Sequence, residues 1–251
     1  MTKNIHTKDN FTPAEVDRRT SLAGLLEDSP IPPEELIANL ALYIPKTEFS
    51  RMLYIHELYK QILDVHGVIM EFGVRWGQNM ALYETFRGIY EPFNRLRKIV
   101  GFDTFEGFPS VHEKDGDSSI VKEGGYNVTK GYEDYLKQVM NVREQEGVTS
   151  PLDRHELVKG DASKTIHDYL QRNPQTVISL AYFDFDIYEP NKECLQAIKP
   201  YLTKGSIVAF DEINHEDFPG ETVALREVFG LDRYKLVHTP YSAARCYLVI
   251  D

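Results

Sequence analysis

A chain of 251 residues is long enough for one large domain with its own core, or for one domain with an extension. Its net charge of -11 argues against nucleic acid or an anionic membrane surface as a partner, because both would repel it. No apolar run is long enough to cross a bilayer, and the first residues lack the apolar segment of a cleavable signal. The two cysteines, Cys194 and Cys246, lie in apolar patterns, which is typical of reduced core residues in a cytoplasmic protein.

The N-terminal part differs in pattern from the rest of the chain. Residues 1–45 are polar and irregular, and their cluster DSPIPPEEL predicts only a short helix over 33–43, started by Ser29 or the prolines. From Thr47 apolar residues recur at helical spacing, which predicts a helix over 48–64. We therefore expect an N-terminal helical extension over 1–47 and a second domain over 48–251.

From residue 68 onward, short apolar runs alternate with helical segments. Strands are predicted at 68–73, 98–103, 155–161, 177–186 and 206–212, and helices at 77–89, 131–145, 191–201 and 221–229. Strands separated by helices run parallel, and near-continuous apolar strands indicate a sheet that is covered on both faces. Two further runs, 233–238 and 245–250, are close enough for an antiparallel pair. The predicted fold is α/β: a doubly wound, mostly parallel Rossmann-like sheet with an antiparallel C-terminal strand pair.

Acidic residues end nearly every predicted parallel strand. They are Glu71, Asp103, Asp161, Asp184 and Asp211. In open α/β sheets ligands bind outside the carboxyl ends of the strands, so these acids are expected to line one rim where a site is built. A strand-end acid also commonly caps the next helix, and that structural explanation stays open for each of them.

The loop EFGVRWGQN (71–79) joins the first strand to a helix and carries Gly73 and Gly77. A dinucleotide-binding loop requires glycine where this chain has Arg75 and Gln78, and a phosphate-binding lysine followed by Ser or Thr is missing. The loop therefore favours a ligand without phosphates and disfavours a nicotinamide oxidoreductase.

S-adenosylmethionine suits this set of residues. Glu71 can accept hydrogen bonds from its ammonium group, and the glycines let the backbone approach its amino-acid part. Asp103 can accept from both ribose hydroxyls, and Asp161 in KGDASKT can accept from the adenine amino group.

The motifs EFGVRWGQN, GFDTFEGFP, KGDASKT, DFDIYEP and FDE together resemble the macrocin O-methyltransferase family over roughly residues 48–250. That family comprises class I, S-adenosylmethionine-dependent, metal-dependent enzymes that mostly methylate sugar hydroxyls on antibiotics and related glycosides. This chain departs from it at Phe185, where the family usually has glycine, and at Glu212, where it usually has aspartate. The segment 213–222 also differs from the standard sugar enzymes and favours a subgroup with another acceptor. The cofactor-binding set that the resemblance implies is Glu71, Gly73, Trp76, Gly77, Asn79, Asp103, Phe105, Asp161, Ala162, Ser163 and Asp184.

The acids near the end of the sheet predict a metal site. Asp184, Asp211 and Glu212 follow adjacent strands, and carboxylates held together repel each other unless a cation neutralises them. Oxygen ligands favour Mg²⁺, with Mn²⁺ or Ca²⁺ as alternatives. Asp184 and Asp186 share one face if the strand extends that far. The candidates for the base that takes the acceptor's proton are Asp184, Asp186 and His215.

The long polar stretch 108–131 is typical of a lid or binding loop, in which Tyr126 and Tyr132 are candidates to stack on an acceptor.

The predicted function is metal-dependent O-methylation of a small-molecule hydroxyl on a glycoside, sugar or polysaccharide precursor. A catechol-like phenol, an amino-sugar nitrogen or another natural-product hydroxyl remains an alternative acceptor, and a non-catalytic binding protein is an alternative of another class. We expect a homo-oligomer, with the N-terminal extension and the edge helix as contact surfaces.

Overall fold

The computed structural model describes residues 12–148 and 152–251, so residues 1–11 of the predicted extension lie outside the described part. The strands are β1 Val68–Phe72, β2 Ile99–Asp103, β3 His155–Lys159, β4 Ile178–Phe183, β5 Leu202–Phe210, β6 Val237–His238 and β7 Cys246–Val249. The helices are α1 Pro13–Glu27, α2 Pro33–Ala38, α3 Lys46–Gln61, α4 Gln78–Tyr90, α5 Tyr132–Glu144, α6 Ala162–Arg172, α7 Tyr188–Ile198 and α8 Pro219–Val228. Single 3₁₀ turns lie at Leu40–Leu42, Glu113–Asp115 and Lys199–Tyr201.

The strands form one seven-stranded sheet in the order β3-β2-β1-β4-β5-β7-β6. The first five strands of that order are parallel, whereas β7 runs antiparallel to both β5 and β6. The predicted doubly wound sheet with an antiparallel C-terminal pair is therefore confirmed. The chain order reverses between the neighbours β1 and β4, and such a switch point is where open α/β sheets bind ligands.

Buried side chains cover both faces of the sheet, as the near-continuous apolar strands predict. On one face, the Phe72 ring stacks on Phe102 at 5.0 Å and on Phe183 at 4.5 Å between centroids, and Phe183 stacks on Phe210 at 5.7 Å. These contacts tie β2, β1, β4 and β5 together at their carboxyl ends. The row of rings therefore fixes the spacing of the loops that follow these four strands.

Strand β4 is shorter than predicted. It ends at Phe183, and the last backbone hydrogen bond to β1 is the one that Asp184 donates to the Phe72 carbonyl, at 2.8 Å. Asp186 has a φ of 61°, a left-handed conformation that no strand contains. The expected alternation of Asp184 and Asp186 along a strand is therefore wrong, because the chain turns between them to enter α7.

Helix α1 lies where an irregular segment was predicted. Thr12 and Glu15 form a capping box at its start, but none of its residues is buried. Because a helix without a buried face needs no apolar stripe, the periodicity that reveals other helices is absent here. None of the described helices combines the length and the apolar character needed to cross a membrane.

Helix α3 lies over one face of the sheet. Its buried side chains are Tyr54, Ile55, Leu58 and Tyr59, which repeat at i, i+1, i+4 and i+5. Arg51 lies one turn before Tyr54 and Ile55 on the same face, and so it reaches the carboxyl end of the sheet. The helix thereby adds a cation to a rim that is otherwise acidic.

The long loop between β2 and α5 folds back over the rim. Phe108 and the Gly124–Gly125 pair exchange backbone hydrogen bonds of 3.0 Å, which closes the loop on itself. Asp115, only 1% exposed, accepts a hydrogen bond from the Tyr188 backbone N–H and so fixes the loop to the start of α7. The stretch predicted as a lid or binding loop therefore lies over the rim and has a buried anchor at the start of α7.

Candidate active site

A cavity of about 430 Å³ opens at the carboxyl ends of β1, β2, β4 and β5. That volume is in the range of small-ligand sites. Among the residues predicted for the site, those that line the cavity are Glu71, Gly73, Trp76, Asn79, Asp103, Asp161, Ala162, Asp184, Asp186, Asp211 and Glu212. Gly77, Phe105, Ser163 and His215 are not part of its wall. The fold therefore brings most of the predicted residues to one place.

Gly73 lets two backbones approach each other at the cavity floor. A β-carbon at this position would lie 2.0 Å from the Asp184 carbonyl oxygen, and the φ of 99° is one that only glycine adopts without strain. Gly77 has another role: it is the left-handed N-cap of α4, and a β-carbon there would meet the side chain of Leu136. The first glycine shapes the cavity, whereas the second serves the packing of α4 on α5.

Glu71 is a buried carboxyl at the cavity wall. It is 1% exposed, and its Oε2 has no hydrogen-bond partner among the described residues. Burial raises the pKa of Glu71 well above its usual range, although Arg51 and a hydrogen bond from Asn79 oppose the rise. An orphaned acidic oxygen in a cavity fits a ligand that brings a cationic donor.

Asp103 organises the two loops beside it. Its Oδ2 accepts a 2.7 Å hydrogen bond from the Arg75 backbone N–H, and its Oδ1 accepts one of 2.6 Å from the Phe105 N–H. Burial raises the pKa of Asp103 even though these N–H groups favour its charged form. Two carboxylate oxygens can accept about four hydrogen bonds, so both keep capacity for ligand hydroxyls.

Asp161 is the N-cap of α6. Its Oδ1 accepts from the Ser163 backbone N–H at 3.1 Å and from the Ser163 hydroxyl at 2.7 Å, and its Oδ2 pairs with Lys164 at 2.9 Å. Burial would raise the pKa of Asp161, but these partners outweigh burial and lower it. The capping explanation that the sequence left open is therefore correct for this acid, which still lines the cavity beside Ala162.

Two of the predicted metal ligands already have cationic partners. Arg51 binds Asp184 at 2.6 Å, and Arg245 binds Asp211 at 2.7 Å, where Asp211 also accepts a hydrogen bond from the Tyr182 hydroxyl. Arg245 and Arg51 outweigh the effect of burial and hold the pKa of Asp211 well below its usual range. Within the described ranges, no three Asp, Glu, His or Cys side chains are arranged to hold a metal ion as they stand.

The remaining acids at this end have no such partners. Glu212 has a buried Oε2 without a hydrogen bond among the described residues, and burial together with Asp211 and Asp184 raises its pKa to about 8. Burial and Glu212 raise the pKa of Asp186 well above its usual range. Glu221, at the start of α8, is fully buried with both oxygens unpaired in the described structure. More carboxyl groups are therefore buried around this end of the cavity than its two arginines pair with, and burial favours the protonated form of the unpaired ones unless a cation is present.

Two side chains that the sequence offered as candidates, His215 and Tyr132, are not part of the cavity wall. His215 lies outside the cavity wall, where its Nδ1 accepts a hydrogen bond from the Asp217 backbone N–H at 3.2 Å. Tyr132 contacts Trp76 edge to face at 4.8 Å and donates its hydroxyl to the Trp76 carbonyl, so it supports the glycine loop. Tyr126, in contrast, lines the cavity.

Sequence reasoning missed Arg51, Arg245 and Glu221. The sequence did contain a signal for Arg51: it lies one turn before Tyr54 and Ile55, on the face of α3 whose side chains are buried. Arg245 reaches Asp211 because Cys246 pairs with Phe210 across antiparallel strands, a register that the sequence does not specify. Glu221 has the sequence pattern of an ordinary acid in the first turn of a helix.

The strand order, the glycine loop after β1 and the acids at the ends of β1 and β2 define an S-adenosylmethionine-dependent methyltransferase. The crystal structure of CalS11, a calicheamicin methyltransferase, is similar to this chain with a TM-score of 0.92 and 46% identity over 99% of both chains. The apo structure of CalS11, described as a TDP-rhamnose 3′-O-methyltransferase of calicheamicin biosynthesis, gives a TM-score of 0.83 and 45% identity over 97% of this chain and 96% of that one. The chain belongs to the same methyltransferase family as CalS11.

A more distant comparison concerns the fold alone. The O-methyltransferase NovP is 18% identical over 80% of this chain and 79% of its own, with a TM-score of 0.60. No protein-family model and no curated protein matches the chain. The sugar-methyltransferase resemblance drawn from the motifs is nevertheless confirmed by the similarity to CalS11 over nearly the whole chain.

Proposed function

We propose that this enzyme transfers the methyl group of S-adenosylmethionine to a hydroxyl of a nucleotide-activated sugar, with the help of a divalent cation. The similarity to CalS11, whose described substrate is TDP-rhamnose, supports the acceptor class. One observation carries the chemistry: a cavity at the β1–β4 switch point has an orphaned carboxyl, Glu71, in β1 and a second one, Glu212, beyond β5. The first suits the ammonium of the cofactor, and the second suits a cation and a proton transfer.

The cofactor is proposed to lie along the ends of β1, β2 and β3. Glu71 accepts from its ammonium, Gly73 admits its amino-acid part, and Asp103 accepts from its ribose hydroxyls. Asp161 and Ala162 lie beside the adenine. The short contact between Gly73 and Asp184 supports this pose, because it lets the acid end of the cavity reach the methyl group.

The cation is proposed to bind at Glu212, Asp184 and Asp211. The buried, unpartnered Oε2 of Glu212 supports this assignment, since a cation provides the partner that no described residue does. The ion pair of Asp184 with Arg51 uses only Oδ2, so its Oδ1 remains for a second partner. When bound, a divalent cation lowers the pKa of a coordinated hydroxyl and fixes its direction.

Asp186 is proposed as the base. It lines the cavity, is 8% exposed, and has no ion pair among the described residues, whereas Asp184 and Asp211 are held by arginines. In its ionised form Asp186 can accept the proton that the acceptor hydroxyl loses as its oxygen attacks the methyl carbon and the sulfur leaves, and its raised pKa makes it a stronger base than an exposed aspartate.

The assay that tests the proposal incubates the protein with S-adenosylmethionine, TDP-rhamnose and Mg²⁺ and detects the methylated sugar by mass spectrometry. We expect turnover that excess EDTA abolishes and that added Mg²⁺ or Mn²⁺ restores. Full turnover in EDTA would contradict the cation's role. Methylation of catechol or of an amino-sugar nitrogen, without any sugar O-methylation, would contradict the acceptor.

Glu71→Gln is expected to weaken the binding of S-adenosylhomocysteine by about 10- to 100-fold, because a charge-assisted hydrogen bond to the ammonium is lost. Isothermal titration calorimetry measures the affinity. Because Glu71 is destabilised when charged, the neutral glutamine is expected to leave Tm unchanged or raised.

Glu84→Gln is the matched control for that variant. Glu84 is likewise buried, at 6% exposure, but it pairs with Arg143 outside the cavity. Its replacement is expected to leave the affinity for S-adenosylhomocysteine unchanged. Equal losses of affinity in both variants would show that Glu71 acts through the fold and not through the ligand.

The effect of Mg²⁺ on thermal stability is expected to depend on pH. Without a bound cation, the pKa of Glu212 rises from 4.5 to about 8 on folding. The folded protein therefore holds more protons than the unfolded chain in this window, and stability falls as the pH rises through it. A cation removes that cost, so we expect the gain in Tm on adding Mg²⁺ to be about 2–4 °C larger at pH 8 than at pH 6, by differential scanning calorimetry.

Glu212→Gln is the comparison for the calorimetry. The glutamine has no charge to bury, so most of the Mg²⁺ effect on Tm and most of its pH dependence are expected to disappear. A gain in Tm that is equal at the two pH values, or undiminished in this variant, would exclude Glu212 as a ligand.

A further inference from the structure

Arg75 is a cation in the cavity wall without an acidic partner. Two cationic residues line the cavity in the described structure, and the other, Arg51, is paired with Asp184. The guanidinium of Arg75 lies 5.0 Å from the centroid of the Tyr126 ring, and its Nε is buried without a hydrogen bond to any described residue. Because Arg75 forms no ion pair with the acids of the cavity, its position depends on the Tyr126 ring and on its own backbone.

The backbone holds both members of this pair. Arg75 has a φ of 49° and Tyr126 a φ of 56°, both left-handed conformations that are costly for residues with a side chain. The Arg75 N–H is fixed by its hydrogen bond to Asp103. Strain of this kind persists where the surrounding structure imposes it, and it is concentrated at functional sites.

The Tyr126 ring is fixed from its other sides. It contacts Phe108 edge to face at 5.6 Å and Phe218 at 6.3 Å. The ring therefore offers a rigid face to the Arg75 guanidinium and joins the glycine loop to the loop that covers the site. A guanidinium that is held over a ring by a cation–π contact keeps its N–H groups available for a ligand.

The pair lies towards the acidic end of the cavity, where the acceptor is proposed to bind. Asp186 and Glu212 line the cavity together with both members of the pair, and the Tyr126 ring contacts Phe218, which lies beyond Glu212 and just before α8. The cofactor's ammonium, in contrast, is assigned to Glu71. The N–H groups of the Arg75 guanidinium are thus placed to meet a group of the acceptor.

Resting on the proposed function, we propose that Arg75, which lies over the Tyr126 ring, binds a phosphate of the acceptor and selects a nucleotide-activated sugar over a neutral glycoside. A phosphate that enters an acid-lined cavity is repelled unless a cation meets it, and Arg75 is the lining cation of the described structure that forms no ion pair. Guanidinium groups bind phosphate through two parallel hydrogen bonds. The selection requires no contact with the sugar hydroxyl that is methylated.

The first test compares acceptors. For the parent enzyme and for Arg75→Gln, kcat and KM are measured with TDP-rhamnose and with methyl rhamnoside, which lacks phosphate. We expect Arg75→Gln to lower the preference for TDP-rhamnose by about tenfold or more, through a rise in KM larger than any fall in kcat. A preference that is unchanged would overturn the proposal.

The second test measures binding alone, so it does not depend on methyl transfer. TDP is titrated by calorimetry into the protein saturated with S-adenosylhomocysteine. We expect Arg75→Gln and Tyr126→Leu to weaken the binding of TDP by about tenfold or more, whereas Tyr126→Phe, which keeps the ring, retains it. If these variants lose TDP binding while the parent enzyme methylates no sugar, the proposed function is refuted and the phosphate site stands.

The cofactor's carboxylate is the other anion that Arg75 can meet. Titration of S-adenosylhomocysteine into Arg75→Gln distinguishes the two sources. Unchanged affinity for S-adenosylhomocysteine together with weakened TDP binding supports the proposal. Weakened S-adenosylhomocysteine binding with unchanged TDP binding assigns Arg75 to the cofactor and overturns it.

Discussion

Asp184→Asn is expected to lower kcat/KM for sugar methylation by about 10²- to 10⁴-fold, the usual range for the loss of a group that acts directly in proton transfer or cation binding. Asp184 is at the centre of the site: its side chain pairs with Arg51, and its carbonyl lies against Gly73. Asparagine keeps the shape and removes the charge. Steady-state kinetics with saturating Mg²⁺ provides the measurement.

Asp134→Asn is the control for that variant, because Asp134 is 75% exposed on α5 and is not part of the cavity wall. Its replacement is expected to leave kcat/KM unchanged. The result that contradicts the proposed site is an Asp184→Asn enzyme within threefold of the parent while its affinity for S-adenosylhomocysteine is intact. In that case the acids that end β4 and β5 serve the fold and not the reaction.

Gly73→Ala is expected to abolish S-adenosylhomocysteine binding and to destabilise the fold by more than about 3 kcal/mol. The added methyl group would lie 2.0 Å from the Asp184 carbonyl oxygen, and backbone atoms of two neighbouring strands have little freedom to move apart. The positive φ of 99° adds further strain. Chemical denaturation measures the stability, and calorimetry measures the binding.

Gly88→Ala is the control for that variant, because it makes the same substitution away from the cavity. Gly88 lies inside α4, and a β-carbon added there would have no atom within 4 Å. Alanine at this position is expected to stabilise the protein by about 0.5–1 kcal/mol, because it favours the helix. A Gly73→Ala variant that is as stable as the parent would mean that the β1 and β4 backbones are not in close contact.

The sheet could be predicted because its signals are local. Each of the five parallel strands is a short apolar run, and each run is separated from the next by a helical segment, so strand direction follows from spacing. The acids at their ends could be placed on one rim by the same argument, and the cavity wall contains them. The local pattern did not predict helix α1, which has no buried face. It also predicted a β4 that is too long, because the chain turns before Asp186.

The ion pairs could not be predicted, because they join residues that are far apart in the chain. Arg51 and Asp184 are separated by 133 positions, and Arg245 and Asp211 by 34 across an antiparallel register. A sequence shows how many acids and bases a chain contains but not which of them meet. For the same reason Arg75 could be interpreted only as an obstacle to a pyrophosphate, since its contact with the Tyr126 ring depends on a loop that folds back from β2.

The sequence by itself determined the class of fold, the position of the glycine loop and the accumulation of carboxylates beyond β4 and β5. These features depend on residues that are close together in the chain, so local periodicity and the residue types at strand ends are enough to predict them. The tertiary structure alone decided which carboxylates are neutralised and which are not. Arg51 and Arg245 satisfy Asp184 and Asp211, whereas Glu71, Glu212 and Glu221 keep buried oxygens without partners among the described residues. The free energy of a buried charge depends on what surrounds it within a few ångströms, and only folding sets those distances.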